Sequence, residues 1–281
     1  MSMNNCRIDT IRSQEKSPKG FKKMTIQRKF GWIPDIPDQR DFPITRLFGV
    51  VAPPKPNVDL RSVCPPVYNQ GNLGSCTAQA IAGVIQFDQM KQKLAEQFTP
   101  SQLFIYYNER VLEGTVNVDA GAYLRDGIKT VNQSGVCPNG DWPYVISRFK
   151  KAPPQKAYDH AKAHPAVSYF RIEAEEDMKL CLSEGFPFVF GFAVYDSFMK
   201  VGNNGIVKMP NTKEKLLGGH AVMVVGYNNT EYTILGCPSN YFIVRNSWGS
   251  GWGRSGYCFM PATYLSNSNL SSDFWTIKLV E

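Results

Sequence analysis

Apolar positions along this chain change their spacing at about Val167. Before that point they recur every three or four residues, and after it they alternate or run unbroken. The first regime predicts helices and the second predicts strands. Ala78 to Gln97 carries Ile81, Val84 and Ile85 on one side amid Ala, Gln, Lys and Glu, and predicts an amphipathic helix. Thr99-Pro100 is a helix start, a capping residue followed by the residue suited to the first helical position. The helix expected from Ser101 to Leu112 has Leu103, Phe104, Tyr107 and Val111 on one face. Ala122 to Asn132 predicts a third, shorter helix.

In the second half, Val167–Ile172 alternates as a strand, and Ala174–Glu184 predicts a helix stopped by Gly185. Phe186–Val194, His220–Gly226, Tyr241–Arg245 and Gly256–Met260 are apolar and β-branched enough to be strands. A helical half followed by an antiparallel β half is an α+β arrangement of two lobes. There is no internal repeat.

The start of the chain fits neither regime. Residues 1–30 are polar and basic and are expected to be loosely held. Phe30 to Pro43 combines three prolines with Trp32, Ile33, Ile36 and Phe42, which suits neither a helix nor a central strand. It is expected to run extended and to lay these side chains on the protein's own body. Val51 to Asn57 is a proline-rich linker and marks a boundary.

Composition narrows the class. The chain has 281 residues, 43% of them hydrophobic and 20% charged, which is globular. No apolar run approaches the ~18 residues of a membrane span. The first residues have no apolar core of the kind that makes a signal peptide, so an intracellular protein is expected. The net charge of +7 is concentrated in a basic arm that contains Arg7, Arg12, Lys16, Lys19, Lys22, Lys23, Arg28 and Lys29. No nucleic-acid-binding signature accompanies it, so a solvated tail is expected and no specific nucleic-acid partner. Seven cysteines without a CxxC pair argue against a zinc ribbon or a thioredoxin-type site. The odd count leaves at least one thiol free.

Cys76 is the candidate for that thiol. Asn69-Gln70-Gly71-Asn72-Leu73-Gly74-Ser75-Cys76 is a small-residue turn that delivers the cysteine to the start of the first helix. Unpaired N–H groups and the helix dipole favour a thiolate there. A buried cysteine can equally serve as a small hydrophobe. A thiolate needs a base, and the chain has three histidines. His160 and His164 stand four apart on an expected helix without a third ligand, so they are expected as surface residues, and no metal or cofactor is expected. His220 follows Gly218-Gly219 and opens an expected strand. Asn246 ends another and precedes Ser247-Trp248-Gly249-Ser250-Gly251-Trp252-Gly253. An Asn amide oxygen can fix an imidazole tautomer, and a Trp can shield that bond from water.

The three motifs Gln70…Gly74-Ser75-Cys76, Gly219-His220-Ala221-Val222 and Asn246–Gly253 resemble the papain/cathepsin family of cysteine peptidases, as does Val58-Asp59-Leu60-Arg61 at its mature start. The family places His and Asn roughly 130–150 residues after the nucleophile. Here His220 falls inside that interval and Asn246 somewhat beyond it. The resemblance covers Val58 to Pro261, and three motifs in the right order make it specific.

It implies a papain-like two-lobed fold, with a helical N-terminal lobe, an antiparallel β-barrel-like C-terminal lobe and the site between them. It implies Cys76 as nucleophile, His220 as acid/base and Asn246 as its orienting partner. Gln70 and the Cys76 N–H would form the oxyanion hole, and Trp248 and Trp252 would shield the site. Asp119-Ala-Gly121-Ala122-Tyr123 falls where the family pairs with substrate backbone. Gly191, Gly218 and Ala122 would line a pocket for a bulky apolar side chain, and Gly219, Tyr123 and Trp248 would also bind substrate. The substrates would be polypeptides.

There are departures from the family. Leu73 stands where the family usually has a disulfide-bonded Cys, which is consistent with a reducing compartment. Thr77 stands where an aromatic residue is usual. Residues 1–57 are shorter and more proline-rich than typical propeptides, and 58–281 would be the peptidase domain. The reading is a cysteine endopeptidase made as a zymogen, its own N-terminal segment acting as an intramolecular inhibitor. The alternatives are a peptidase-shaped binding protein without activity, or an acyltransferase or amidase on the same scaffold.

Overall fold

The central helix, α1 (Cys76–Gln92), is built from Ala, Gln and aliphatic residues and has almost no exposed face. The sequence predicted a one-sided apolar stripe. The short Ala and Gly side chains instead let other elements approach from all sides, and even Gln79, Asp88 and Gln89 are buried. The helix ends at Lys93, whose left-handed conformation (φ 54°) directs its N–H to the Gln89 and Met90 carbonyls. Its expected continuation to Gln97 is therefore a turn, pinned by Phe98 N–H on Gln89 Oε1 (3.0 Å).

The computed structural model describes residues 28–48, 52–164 and 167–279. Most of the basic tail and the first linker residue lie outside them. Two short strands, β1 (Trp32–Ile33) and β2 (Asn57–Asp59), precede α1. Helix α2 (Gln102–Leu112) is capped by Ser101, whose Oγ accepts the Phe104 N–H (3.1 Å). Thr99 was the expected cap. The buried face of α2 is Leu103, Phe104, Ile105 and Tyr106, so Val111 points to solvent. Strand β3 (Ala122–Tyr123) then leads into α3 (Leu124–Ser134). The predicted helix began at Ala122, but Ala122 and Tyr123 are held extended by parallel pairing with Trp32 and Ile33. A short helix, α4 (Gln155–Ala161), precedes the β half.

That half comprises β4 (Val167–Ile172), α5 (Glu175–Ser183), β5 (Phe188–Tyr195), β6 (Leu216–Asn228), β7 (Tyr241–Arg245), β8 (Tyr257–Pro261) and β9 (Ser271–Leu279). The strands form an antiparallel sheet in the order β4-β9-β5-β6-β7-β8, with β2 added to β6. Side chains alternate between its faces. Val189, Ala221, Met223, Val225, Ile243, Trp275 and Ile277 pack with α1, α2 and α3 in one core. Phe188, Phe190, Phe192, Val222, Val224, Phe242 and Val244 form a second core on the other face. The helical lobe and the β lobe thus meet on one face of the sheet.

The segment from Phe30 to Pro43 runs extended against the body, as its prolines predicted, and Trp32 is buried. Ile36 (71% exposed) and Phe42 (49%) are not buried, contrary to expectation. Polar anchors hold this stretch instead. Asp35 accepts from Trp275 Nε1 (2.9 Å) and Arg125 N (3.2 Å), and Asp41 accepts from Arg125 Nη2 (2.5 Å).

Candidate active site

Cys76 is the first residue of α1, and its thiol is fully buried. Around the sulfur stand the backbone N–H groups of Ala221, Gly31 and Thr77. Ala221 follows His220 on β6, so the strand carrying the imidazole lies against the start of the helix carrying the thiol. His220 lies within β6, paired opposite Phe192, because the strand begins at Leu216 rather than at the histidine.

His220 and Asn246 meet directly. Nε2 lies 2.8 Å from Asn246 Oδ1. The same oxygen accepts the Ser247 N–H at 2.8 Å, which identifies it as the acceptor end of the amide. His220 Nε2 therefore carries the proton and donates it. Nδ1 is left as a buried lone pair without a hydrogen-bond partner. Trp248 stacks on the imidazole (centroids 5.0 Å apart, 29°) and Trp252 meets Trp248 edge-on at 5.2 Å.

Gln70 is buried beside them. Its Oε1 accepts from Ser247 Oγ (2.6 Å) and its backbone N–H donates to the Ser247 carbonyl (2.9 Å), tying the turn before Cys76 to the loop after Asn246. This orients Nε2 as a donor. Nε2 reaches the Leu73 carbonyl (3.0 Å) and the Lys29 carbonyl (3.4 Å).

Lys29 belongs to the N-terminal segment, which covers the site residue by residue. Arg28 stacks its guanidinium over Trp248 at 5.0 Å and donates to the Trp248 carbonyl (3.4 Å). Lys29 pairs with Asp119 (2.8 Å). Phe30 lies edge-on to His220 (6.4 Å) and rests on Gly218, where a Cβ would come within 2.8 Å of it. The Gly31 carbonyl accepts the Ala122 N–H at 2.7 Å. Gly121 has φ +79°, and a Cβ there would lie 2.1 Å from the Gly31 oxygen. Trp32 spreads over Gly191 and Gly219. The stretch Gly121-Ala122-Tyr123 and the glycines Gly191, Gly218 and Gly219, all picked out in the sequence, therefore line one trough.

Occlusion sets the electrostatics. Burial pushes the Cys76 thiol up to about 11, against the opposing effect of the N–H groups of Ala221, Gly31 and Thr77. Burial also pushes His220 down to about 4, against the Asn246 hydrogen bond. The helix terminus was expected to favour a thiolate. Loss of hydration outweighs it in the covered state, which holds a neutral thiol and a neutral imidazole.

Glu109 is a neighbour that the sequence reading missed. It lies fully buried on α2 and accepts from Thr77 Oγ1 (2.7 Å). A Thr directly after Cys76 was the available signal, because a hydroxyl in an apolar core requires a partner. His160 and His164 do not join the site. His160 bonds Asp141 (2.8 Å) and His164 packs on Phe98 (4.7 Å). Among the described residues all six cysteines are unpaired, and no group of three His, Cys, Asp or Glu could hold a metal. No helix among them is long and apolar enough to cross a membrane.

A thiol at a helix start, beside the strand that carries a histidine bonded to an asparagine, is the arrangement expected of a thiol hydrolase with a two-lobed α+β fold. The sequence model of the papain family cysteine proteases matches residues 54–274, and the chain belongs to that family. It is 44% identical over 283 aligned positions to an uncharacterized peptidase C1-like protein of Acanthamoeba polyphaga mimivirus, covering 91% of this chain and 88% of that one. The crystal structure of xylellain, a cysteine protease from Xylella fastidiosa, superposes with a TM-score of 0.78 at 41% identity, over 91% of this chain and 98% of that one. Digestive procathepsin L 3 of Tenebrio molitor larval midgut shares the fold, with a TM-score of 0.63 at 19% identity over 81% of this chain and 71% of that one. The protein is a papain-like cysteine peptidase.

Proposed function

We infer that the chain is a latent cysteine endopeptidase, with residues 1–57 acting as a propeptide-like segment on a 58–281 peptidase domain. The observation carrying this reading is the position of Gly31, between the Cys76 sulfur and the Ala122 N–H. A peptide backbone already runs through the trough, and its carbonyls meet the donors that a substrate would need. The Lys29 carbonyl is on Gln70 Nε2 and the Gly31 carbonyl is on Ala122 N–H.

Once the segment leaves, water returns to the trough and the cost of charging the pair falls. His220 Nδ1 takes the Cys76 proton, with Asn246 holding the ring by Nε2. The thiolate adds to the scissile carbonyl carbon. Gln70 Nε2 and the Cys76 N–H receive the oxyanion. The imidazolium then gives its Nδ1 proton to the departing amine as the C–N bond breaks, leaving a thioester on Cys76. Water, deprotonated by His220, adds to the thioester, and the carboxylic acid leaves as the sulfur regains its proton.

The segment crosses the trough with chain on both sides of Gly31, so the trough accommodates an internal stretch of polypeptide, which supports endopeptidase action. The test uses the full chain with Gly31→Val, because a Cβ at Gly31 would lie 1.8 Å from the Gly74 oxygen and cannot be seated. This variant should hydrolyse a peptide blocked at both ends, and a thiol-directed epoxide should abolish the turnover by labelling Cys76. Failure to cleave any blocked peptide while cleaving free-ended ones would overturn the endopeptidase assignment.

A further inference from the structure

The turn from Gln70 to Cys76 is held by side chains that lie outside it. No disulfide fixes it, since among the described residues all six cysteines are unpaired. The Tyr144 hydroxyl donates to the Gln70 carbonyl (3.0 Å) and lies 2.6 Å from Ser75 Oγ. Asp119 Oδ1 accepts the Gly74 N–H at 3.0 Å. One peptide unit links this last contact to the Gln70 amide. The N–H of the Leu73–Gly74 peptide goes to Asp119, and the carbonyl of the same peptide accepts Gln70 Nε2 at 3.0 Å. A peptide group is planar, so fixing its N–H fixes the direction of its carbonyl. One Nε2 hydrogen is thereby placed, and the other points to the Lys29 carbonyl (3.4 Å), which lies in the trough.

Asp119 is itself held from below. Its side chain is 8% exposed. The fully buried Tyr106 donates its hydroxyl to Asp119 Oδ1 and accepts the Gly121 N–H (3.3 Å). Arg110, also fully buried, fixes the loop that leads into Asp119 by donating to the carbonyls of Val116 (3.0 Å) and Val118 (3.1 Å). Gly74, Tyr106 and Arg110 belong to the body and stay when the segment leaves. Lys29, whose Nζ is 2.8 Å from Oδ2, leaves with the segment.

We propose that Asp119 is a positioning residue for hydrolysis, acting through the Leu73–Gly74 peptide to aim Gln70 Nε2 at the oxyanion. The proposal rests on the peptidase reading. Ser247 Oγ already holds Gln70 Oε1 at 2.6 Å, so the amide is gripped at both ends. Without Asp119 the Leu73–Gly74 peptide is free to turn, and Nε2 loses the acceptor that sets its direction. A donor that is fixed before charge develops costs no reorganisation in the transition state. The Lys29 contact would also suit a reader of cationic substrate side chains. The bonds to Gly74 and Tyr106, which need no segment, favour positioning.

The experiment uses the full chain with Gly31→Val, which frees the trough, and two blocked peptides, one bearing lysine and one without charged side chains. Asp119→Ala should lower kcat about tenfold or more for both peptides, with KM changed by less than about threefold. Asp119→Asn, whose amide oxygen can still accept the Gly74 N–H, should restore kcat to within about threefold of the parent. In a Gln70→Ala background Asp119→Ala should have almost no further effect on kcat, because the group it aims is gone. A peptide aldehyde forms a hemithioacetal with Cys76 whose oxygen meets the same donors. It should bind Asp119→Ala about tenfold more weakly, while iodoacetamide alkylates Cys76 at a rate within about twofold of the parent. Full additivity with Gln70→Ala, a loss confined to the lysine peptide, or alkylation slowed as much as hydrolysis would each overturn the proposal. Should Asp119→Ala not fold, Tyr106→Phe carries the same cycle, with a loss of about threefold or more expected alone and none in the Gln70→Ala background. A parent that cleaves neither peptide refutes peptidase action, while aldehyde affinity, read as protection of Cys76 from alkylation, still decides the role of Asp119.

Discussion

Asp273 Oδ2 accepts the backbone N–H of Asp35 at 2.7 Å, so two carboxyl groups from distant parts of the chain share one buried patch. Burial raises Asp35 to about 6, and the negative charge of Asp273 adds to the effect, against the donors Trp275 and Arg125. Arg171, Asp41 and Glu113 also face this patch. The consequence for latency has a definite sign. A carboxyl whose value is raised on docking favours the docked state when protonated, and that advantage is lost as pH climbs through the docked value.

The Asp35 contribution to docking should therefore be greatest near pH 4 and be lost up to about pH 6 to 7, while His220, pushed down to about 4 by the same occlusion, contributes with the opposite sign over this interval. The Asp35 contribution is bounded at roughly 3 kcal/mol, about a hundredfold in the docking equilibrium. The ratio of Ala122 amide protection against hydrogen exchange in the unmodified chain to that in Asp35→Asn isolates it, and should fall from pH 4 to 7. A ratio constant over that interval would contradict the sign.

Release should be achievable by sterics alone. Gly31→Val in the full chain is expected to raise hydrolysis of small peptides at least tenfold over the unmodified chain at pH 7, because Gly31 touches both Gly74 and Gly121. A synthetic peptide of residues 28–43 added in trans should then inhibit. Equal rates for the two proteins would remove the case for latency.

Substitutions at the three motif residues should rank in a particular order. In the Gly31→Val background, Cys76→Ala should abolish turnover, with the same thermal unfolding midpoint within a few degrees. His220→Ala should cost about as much, at least a thousandfold. Asn246→Ala should be milder, about ten- to a hundredfold, because it orients the ring and transfers no proton. Steady-state kinetics with one blocked peptide gives all three, and retained turnover in Cys76→Ala would disqualify Cys76 as nucleophile.

Glu109 offers a stability test apart from chemistry. Burial holds its carboxyl well above the usual range, which favours the protonated form. Glu109→Gln should then change stability by less than about 1 kcal/mol. Glu109→Ala should cost about 2–4 kcal/mol, from a cavity under α1 and an unpaired Thr77 hydroxyl. Calorimetric unfolding of the full chain measures both, and a large loss for Gln would indicate a charged Glu109.

The sequence by itself determined the local elements and the identity of the chemistry. Helical spacing around Ile81, Val84 and Ile85, strand-like runs at Phe188–Val194 and Tyr241–Arg245, and the motifs at Gln70–Cys76, Gly219–His220 and Asn246–Gly253 are properties of neighbouring residues. The extended course of Phe30–Pro43 was legible for the same reason, since proline restricts its own backbone. Only the tertiary structure decided what depends on distant partners. Strand β9, which begins with the polar Ser271-Ser272-Asp273, is not among the strands expected from sequence, and it forms because β4 and β5 pair with it on either side. Ile36 and Phe42 have apolar side chains yet stay exposed, because Asp35 and Asp41 find Trp275, Arg125 and Arg171 in the folded body. The neutral state of Cys76 was equally out of reach. A helix N-terminus is written in the sequence, whereas the desolvation that outweighs it exists only where Gly31 from another part of the chain closes over the sulfur.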